Sequence, residues 1–449
     1  MSGPWSACRV APKASRPACA VAAALLAAGA IAGCGGSGSK SGSGSGSGKS
    51  SGPVHLTMWQ QWGGGHEEAE LQKVIKLYEK SHPNVTITQT PQTNDAKILA
   101  SIVGGNPPDI LDLGNSLQLG AWATQGAIQS LTPMIAAAHL NTGLYNPRAF
   151  AGMKVNGQVY ALPFQSFLAA LLYNKKLFAQ AGLKPPTTLA QLDSDAVKLS
   201  KRNASGTITQ MGFVPDYPGP DQAQTCPLES YGWAFGGQWA DSKGNPTPDT
   251  PQSIAALNWE KSFYNRFGAK NIENFISSSG AYLTGGDPFE SGKLAMMFDG
   301  PWSEQYAKAN NPKLAKYVGV VKFPAPNPAD VGSTFLDSNP QTIPRGSKDP
   351  QAAFDFIAWE TTNPKVTAMF ANTVANIPQL KTVPHFPLEK DKLFDLYVKE
   401  AGAPQAHVWP QGPKSSTYAT DLCEAQSAAL DEGKSAASVL ANVKNQVGQ

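Results

Sequence analysis

Residues Gly35 to Gly52 contain only glycine, serine and two lysines, Lys40 and Lys49. A stretch without apolar side chains has nothing to bury, so it behaves as a flexible coil. This tract divides the 449-residue chain into a short leader and a body that begins at Pro53. At about 5–6 Å times the square root of its length, its r.m.s. reach is roughly 23 Å. That is enough to hold a globular body off a surface while leaving it free to turn. Lys40 and Lys49 favour anionic headgroups by up to about 1 kcal/mol each, or serve only solubility.

The leader carries Arg9, Lys13 and Arg16, then an apolar segment from Ala18 to Ala32. Charged, apolar and then small residues is the order of a secretory signal peptide. The apolar run is about 15 residues, short of the roughly 20 that a spanning helix needs. Its end, Ile31-Ala32-Gly33-Cys34, resembles a bacterial lipobox, where the cysteine thiol receives diacylglycerol and the chain is cut just before it. The expectation is a signal peptide over 1–33, a lipidated Cys34 with its tether over 34–52, and a body held on the extracellular face of the cytoplasmic membrane. An ordinary signal peptide cut elsewhere is the alternative.

The whole chain has 36 basic and 33 acidic residues. Without the leader the two are equal, and without the tether lysines the body carries a net charge of −2. No basic surplus points to a nucleic-acid partner. Roughly 400 residues exceed one small core and imply two lobes. No later apolar run is long enough to span a membrane. Cys8 and Cys19 leave with the leader and Cys34 is the anchor, so Cys226 and Cys423 remain as an even pair in an oxidising compartment. They are expected to form a disulfide worth a few kcal/mol; two free buried thiols are the alternative. No Cys/His spacing matches a metal site, and neither a metal nor a cofactor is expected.

Val54, Leu56 and Met58 alternate with polar residues, a strand period. From Glu67, apolar residues recur at Leu71, Val74, Ile75 and Tyr78, one face of a helix, with acids early, lysines late and Pro83 as the stop. A second strand at Val85–Ile87, a helix around Lys97–Val103 and a third strand at Ile110–Leu113 complete a strand–helix–strand repetition. This means an α/β layer with a largely parallel sheet. Ligands bind such sheets beyond the strands' carboxyl ends, here the loops after Met58 and Leu113.

Eight segments then occur in one order: Leu56-Thr57-Met58-Trp59, Asn106 to Ile110, Gly157 to Pro163, Leu172 to Lys175, Gly292 to Met297, Gly300-Pro301-Trp302, Asn376 to Gln379 and Leu430 to Ser435. The body so resembles an extracellular solute-binding protein of the family 1 type, the sugar-binding lipoproteins that serve ABC importers and include the maltose-binding protein. The resemblance implies a two-lobed, type II periplasmic-binding-protein-like α/β fold with the ligand cleft between hinged lobes. It places residues 53–165 with 338–378 in one lobe and 166–337 with 379–449 in the other. It implies a monomer that captures a mono- or oligosaccharide and delivers it to permease subunits.

A sugar offers flat C–H faces and many hydroxyls, so its site wants aromatic platforms and planar polar side chains. Nine of the ten tryptophans lie after the leader. Trp302, in the turn after the apolar strand Leu294–Phe298, matches the family's stacking tryptophan. Asp299 shares that turn. Glu229, Tyr231 and Trp233 resemble the segment where the family supplies a carboxylate and a platform. From the first lobe come Gln61 and Trp62, then Asn115 and Ser116. Asp337 and Asn339 sit near the return crossing, and Trp409 is a late platform or a loop anchor. In the outward crossing, Gln165 and Ser166 are candidates to face the cleft, while Phe167 stands where the maltose-binding protein has an acid. Trp59 is expected behind its strand.

Two other classes stay open. A secreted glycan-active hydrolase needs paired carboxylates at a separation that sequence does not give; no Gly-x-Ser-x-Gly elbow or zinc-protease helix occurs. The ligand of a binding protein is alternatively a non-sugar solute. A scaffold lipoprotein would show repeats or an all-β pattern, and neither is present. Mass analysis of detergent-extracted protein is expected to show a chain beginning at Cys34 with a diacylglyceryl addition; an unmodified cysteine there overturns the anchor.

Overall fold

Burial alternates along the first strand, Val54–Gln60, with Val54, Leu56, Met58 and Gln60 inside and His55 and Thr57 outside. The following helix, His66–Ser81, buries Leu71, Val74, Ile75 and Tyr78, with Glu67 and Glu68 in its first turn and Lys80 in its last. The strand pairs in parallel with Val85–Pro91 on one side and Ile110–Asp112 on the other. The computed structural model describes residues 52–63, 65–218 and 226–448, so the signal peptide, the Cys34 anchor and the tether lie outside the described residues.

Those three strands belong to a seven-stranded sheet, continued by Thr334–Thr342, Leu162–Leu168 and Ile377–Pro378, with Ala406–His407 beside the start of Thr334–Thr342. Here the expectation of a largely parallel sheet is corrected. Thr334–Thr342 runs antiparallel to both Ile110–Asp112 and Leu162–Leu168, and Ile377–Pro378 is also antiparallel. The reason is topological: Leu162–Leu168 hands the chain to a second sheet, and Thr334–Thr342 brings it back through this sheet in the opposite direction.

That second sheet has five strands in the order Val318–Val321, Ala170–Asn174, Leu294–Asp299, Ile208–Phe213, Lys201–Arg202. It too is mixed; only Leu294–Asp299 and Ile208–Phe213 are parallel. The chain leaves the first sheet at Leu168 and enters the second at Ala170; it leaves the second at Val321 and rejoins the first at Thr334. The strands therefore run on past residues 165 and 337, where the lobe boundaries were expected. Two sheets with separate helical layers make a two-lobed α/β fold.

The first sheet is packed by Leu71, Val74, Phe354, Phe356 and Phe370 among others, the second by Phe213, Tyr231, Phe263, Phe298 and Leu422. An aromatic knot in the second core brings Trp233, Trp239, Trp409 and Tyr418 together, with ring centres 5.0–6.4 Å apart in successive contacts. Cys226 is joined to Cys423, their Cα atoms 5.5 Å apart. This ties the start of the short helix Leu228–Ala234 to the helix Ser415–Leu430. Gly232 lets the short helix lie against Trp239: a Cβ there would stand 2.1 Å from the indole. Replacing it (Gly232→Ala) is expected to lower stability by about 1–3 kcal/mol through overpacking, read as a shift in the urea midpoint at unchanged slope.

Candidate ligand-binding cleft

Two adjoining chambers open between the sheets, and Glu229 lines both. The larger, about 310 Å³, is walled on the first-sheet side by the segments Gln92–Ile98 and Leu113–Gln118. Its far wall is one face of the helix Ser415–Leu430, with Ser416, Thr420 and Cys423. The smaller, about 50 Å³, lies where the crossing Phe167–Ala169 meets Cys226–Ser230 and the turn Phe298–Trp302. The first-sheet loops sit there because they follow the carboxyl ends of the parallel strands Val85–Pro91 and Ile110–Asp112.

Trp302 is half-buried and lines the smaller chamber, edge-on to Phe167 with ring centres 5.5 Å apart. Its indole folds onto Gly300, where a Cβ would stand 2.3 Å from the ring. The indole N–H donates to the Tyr282 hydroxyl at 2.7 Å, and that hydroxyl donates to Asp299 at 2.9 and 3.0 Å. Asp299 also accepts from the Gly300 N–H at 2.8 Å and from the Ser303 hydroxyl. Burial raises the Asp299 carboxyl to about 7 in spite of these donors. Tyr282 was missed in the sequence; it belongs to no motif, and only folding brings it under the tryptophan.

Glu229 is 1% exposed. Its Oε2 has no hydrogen-bond partner among the described residues, and Oε1 lies 3.9 Å from the Cys226 sulfur. Burial lifts its carboxyl well above the usual range, the nearby Asp337 adds to this, and the Cys226 backbone N–H acts the other way. Asn115 lines the larger chamber directly, its Oδ1 accepting from the Leu117 N–H at 3.1 Å. Beneath it Ser116, Asp337 and Asn339 form a supporting layer. The Ser116 N–H and hydroxyl both donate to Asp337, at 3.1 and 2.5 Å, and the Asn339 amide donates to the Gly114 carbonyl at 3.0 Å. Asp337 is likewise raised by burial, to about 7. These three residues hold the loop rather than line a chamber.

Four aromatic residues expected at the cleft are packed elsewhere. Tyr231 is fully buried, its hydroxyl donating to the Pro215 carbonyl at 2.7 Å and its ring against Trp259, Phe298 and Phe323. Two residues along a helix is about 200° of rotation, so Tyr231 points to the core when Glu229 points to the cleft. Trp233 stacks on His407, with ring centres 5.0 Å apart, inside the aromatic knot. Trp409 is 1% exposed in the same knot and donates to the Ser415 carbonyl at 3.1 Å. Trp62 donates to the buried Asp112 at 2.6 Å and packs edge-on to Phe370 in the first-sheet core. Gln61 is half-buried and lines neither chamber, nor do Gln165 and Ser166, which are buried within their strand. Phe167 does line the smaller chamber, and Trp59 is half-buried against a small first-lobe cluster.

Sequence reasoning also missed Gln92, Thr93 and Asp95, which line the larger chamber. Asp95 opens the helix Asp95–Val103, and burial raises its carboxyl to about 6. The signal was available: this loop follows the second parallel strand, as the Asn115 loop follows the third. Among the described residues lining the two chambers there is no lysine, arginine or histidine. The cleft thus offers carboxyl, amide and hydroxyl groups beside the aromatic rings of the smaller chamber, suited to a neutral, hydroxyl-rich solute and ill suited to an anion.

Residues 63–366 match the family of bacterial extracellular solute-binding proteins. The chain belongs to this family. The mannitol-binding protein of Pseudomonas aeruginosa is 26% identical to this solute-binding protein over 331 residues, 69% of this chain and 70% of that one. The maltotriose-binding protein of Pyrococcus abyssi is 26% identical over 361 residues, covering 77% and 70%. Among solved structures, CpMnBP1 with mannotriose bound aligns with a TM-score of 0.78 at 33% identity, covering 88% of this chain and 100% of that one. The family consists of substrate-binding proteins that work outside the cytoplasm. No described helix of this member is long and apolar enough to cross a membrane.

The raised acids give the solute-binding protein a pH signature. Asp112, Asp299 and Asp337 hold protons up to about 7 when folded, whereas an exposed aspartate ionises near 3.8. Between those values the folded state binds more protons than the unfolded chain, so stability falls as pH rises. Urea midpoints are expected to drop from pH 5 to pH 7.5, and the Asp337→Asn variant is expected to show a shallower drop.

Proposed function

We propose that this protein is the lipid-anchored receptor of an ABC importer and that it captures a short mannooligosaccharide between its lobes, releasing it unchanged to the permease. The observation that carries this reading is the cleft itself: carboxyl, amide and hydroxyl groups with no cationic side chain among the described lining residues, closed at one end by the half-buried Trp302. The choice of mannooligosaccharide follows CpMnBP1, which binds mannotriose and mannobiose and is 33% and 32% identical to this chain in those two structures.

In this reading Trp302 stacks on a sugar ring, Glu229 and Asp299 accept from hydroxyls at the smaller chamber, and Asn115 and Asp95 do so in the larger. Ser116, Asp337 and Asn339 keep the Asn115 loop in place. The chain crosses between lobes at Ala169, within 322–333 and after Pro378. Closure is a hinge motion about these crossings, and the ligand drives it only by its differential affinity for the closed form. The lipid on Cys34 and the Gly/Ser tether keep the receptor, a monomer, near its permease. It needs no cofactor and makes no covalent change to its ligand.

Mannotriose at about 100 times its Kd is expected to stabilise the folded protein by roughly 2.7 kcal/mol, seen as a rise in Tm that maltotriose and mannitol do not match. The Trp302→Ala variant is expected to lose at least tenfold in affinity by calorimetry. A shift with no saccharide, or cleavage products after prolonged incubation with mannotriose, overturns the reading, the second in favour of a hydrolase.

A further inference from the structure

The disulfide does not lie in a remote part of the fold. Cys226 lines the smaller chamber, Cys423 lines the larger, and Glu229 lines both. The disulfide and the glutamate thus form the partition between the chambers. The Glu229 carboxyl comes within 4.8 Å of both sulfurs. Among the described residues its Oε1 meets the Cys226 sulfur at 3.9 Å and its Oε2 has no donor, while the Cys226 backbone N–H favours the charged carboxyl. A disulfide sulfur carries no proton, so that contact is packing rather than a hydrogen bond. An acid held this way depends for its place on the wall behind it.

The rest of the short helix is fixed by other means. The Trp239 indole donates to the Glu229 carbonyl at 2.7 Å, and the Ser230 hydroxyl accepts from the Phe335 N–H at 3.0 Å. These contacts keep the helix backbone in register. They do not touch the glutamate carboxyl.

We propose that the Cys226–Cys423 disulfide is a positioning element for ligand capture: it backs the Glu229 side chain and holds it in the partition, unhydrated and free to accept ligand hydroxyls from both chambers. Opening the bond lets the two sulfurs part, admits water to the carboxyl and lowers affinity while the lobes stay folded. The large second core and the backbone contacts of the short helix do not require the bond. This rests on the reading that the cleft takes a mannooligosaccharide.

The experiment compares the full chain with and without the bond. It is opened by a dithiol reductant, which supplies two electrons and two protons to give two protein thiols and closes its own disulfide, and independently by the Cys226→Ser, Cys423→Ser double variant. Thermal melts identify the samples that remain folded; an alanine pair replaces the serine pair if that fails. Opening the bond is expected to weaken mannotriose about tenfold, and Glu229→Gln to weaken it at least as much. The triple variant is expected to bind no more weakly than Glu229→Gln alone, because residues acting through one contact are not additive. Additive losses, or unchanged affinity on opening, overturn the proposal.

A second readout needs no ligand. The Glu229 carboxyl, identified in carbon-13 spectra by its loss in Glu229→Gln, is expected to titrate well above the usual range in the bonded protein and closer to it once the bond is open. A carboxyl that titrates identically in both states overturns the proposal. If the native protein ignores mannotriose, the oligosaccharide reading falls and this titration alone decides the role of the disulfide.

Discussion

The antiparallel pairing of Leu162–Leu168 with Thr334–Thr342 is the constraint on which the rest of this structure depends. Both strands lie inside the first sheet and are buried along nearly all their length. One is the last strand before the chain leaves for the second sheet, and the other is the first after it returns. Their register therefore sets where the two sheets stand relative to each other. It also delivers Phe167 to the smaller chamber and Asp337 to the loop behind the larger one. A slip of one residue would turn each of these side chains to the opposite face. The hinge and the site are products of one ladder.

Desolvation is the second organising effect. Glu229, Asp299 and Asp337 are each no more than 3% exposed, and none has a lysine or arginine beside it among the hydrogen bonds and ion pairs described. A carboxyl buried without a cation favours its proton, and the cleft floor tolerates these groups because hydroxyls and backbone N–H groups share the load. Asp299 and Asp337 each collect several such donors, whereas the Oε2 of Glu229 has none among the described residues. That difference leaves Glu229 with more unmet capacity for a ligand than Asp299 or Asp337.

Much of the fold was legible because local patterns reported it faithfully. The alternation at Val54–Met58, the Leu71–Tyr78 stripe and the turn after Leu294–Phe298 each follow from a period or a breaker within a few residues. The position of Trp302 beside the smaller chamber fits a Gly-Pro-Trp turn at a strand end, where the ring projects from the sheet. Tyr231, Trp233, Trp409 and Trp62 were not legible, because an aromatic suits a platform and a core equally well by composition. Helix phase sent Tyr231 inward. Partners distant in sequence, such as His407 for Trp233 and Asp112 for Trp62, claimed the others. The Gln92–Asp95 wall was overlooked although the strand-end rule that found Asn115 applied to it as well.

The amino-acid sequence by itself determined that a body of roughly 400 residues needs more than one core, that its elements alternate between strand and helix, and which family it belongs to. These depend on composition, period and order, which are properties of the chain before it folds. Only the tertiary structure decided which polar groups converge, that Cys226 and Cys423 stand in the cleft wall rather than behind it, and that Glu229 is the group shared by both chambers. Those outcomes depend on contacts between residues 197 and as many as 225 positions apart. No local pattern encodes such a contact, because its geometry exists only once both sheets are packed.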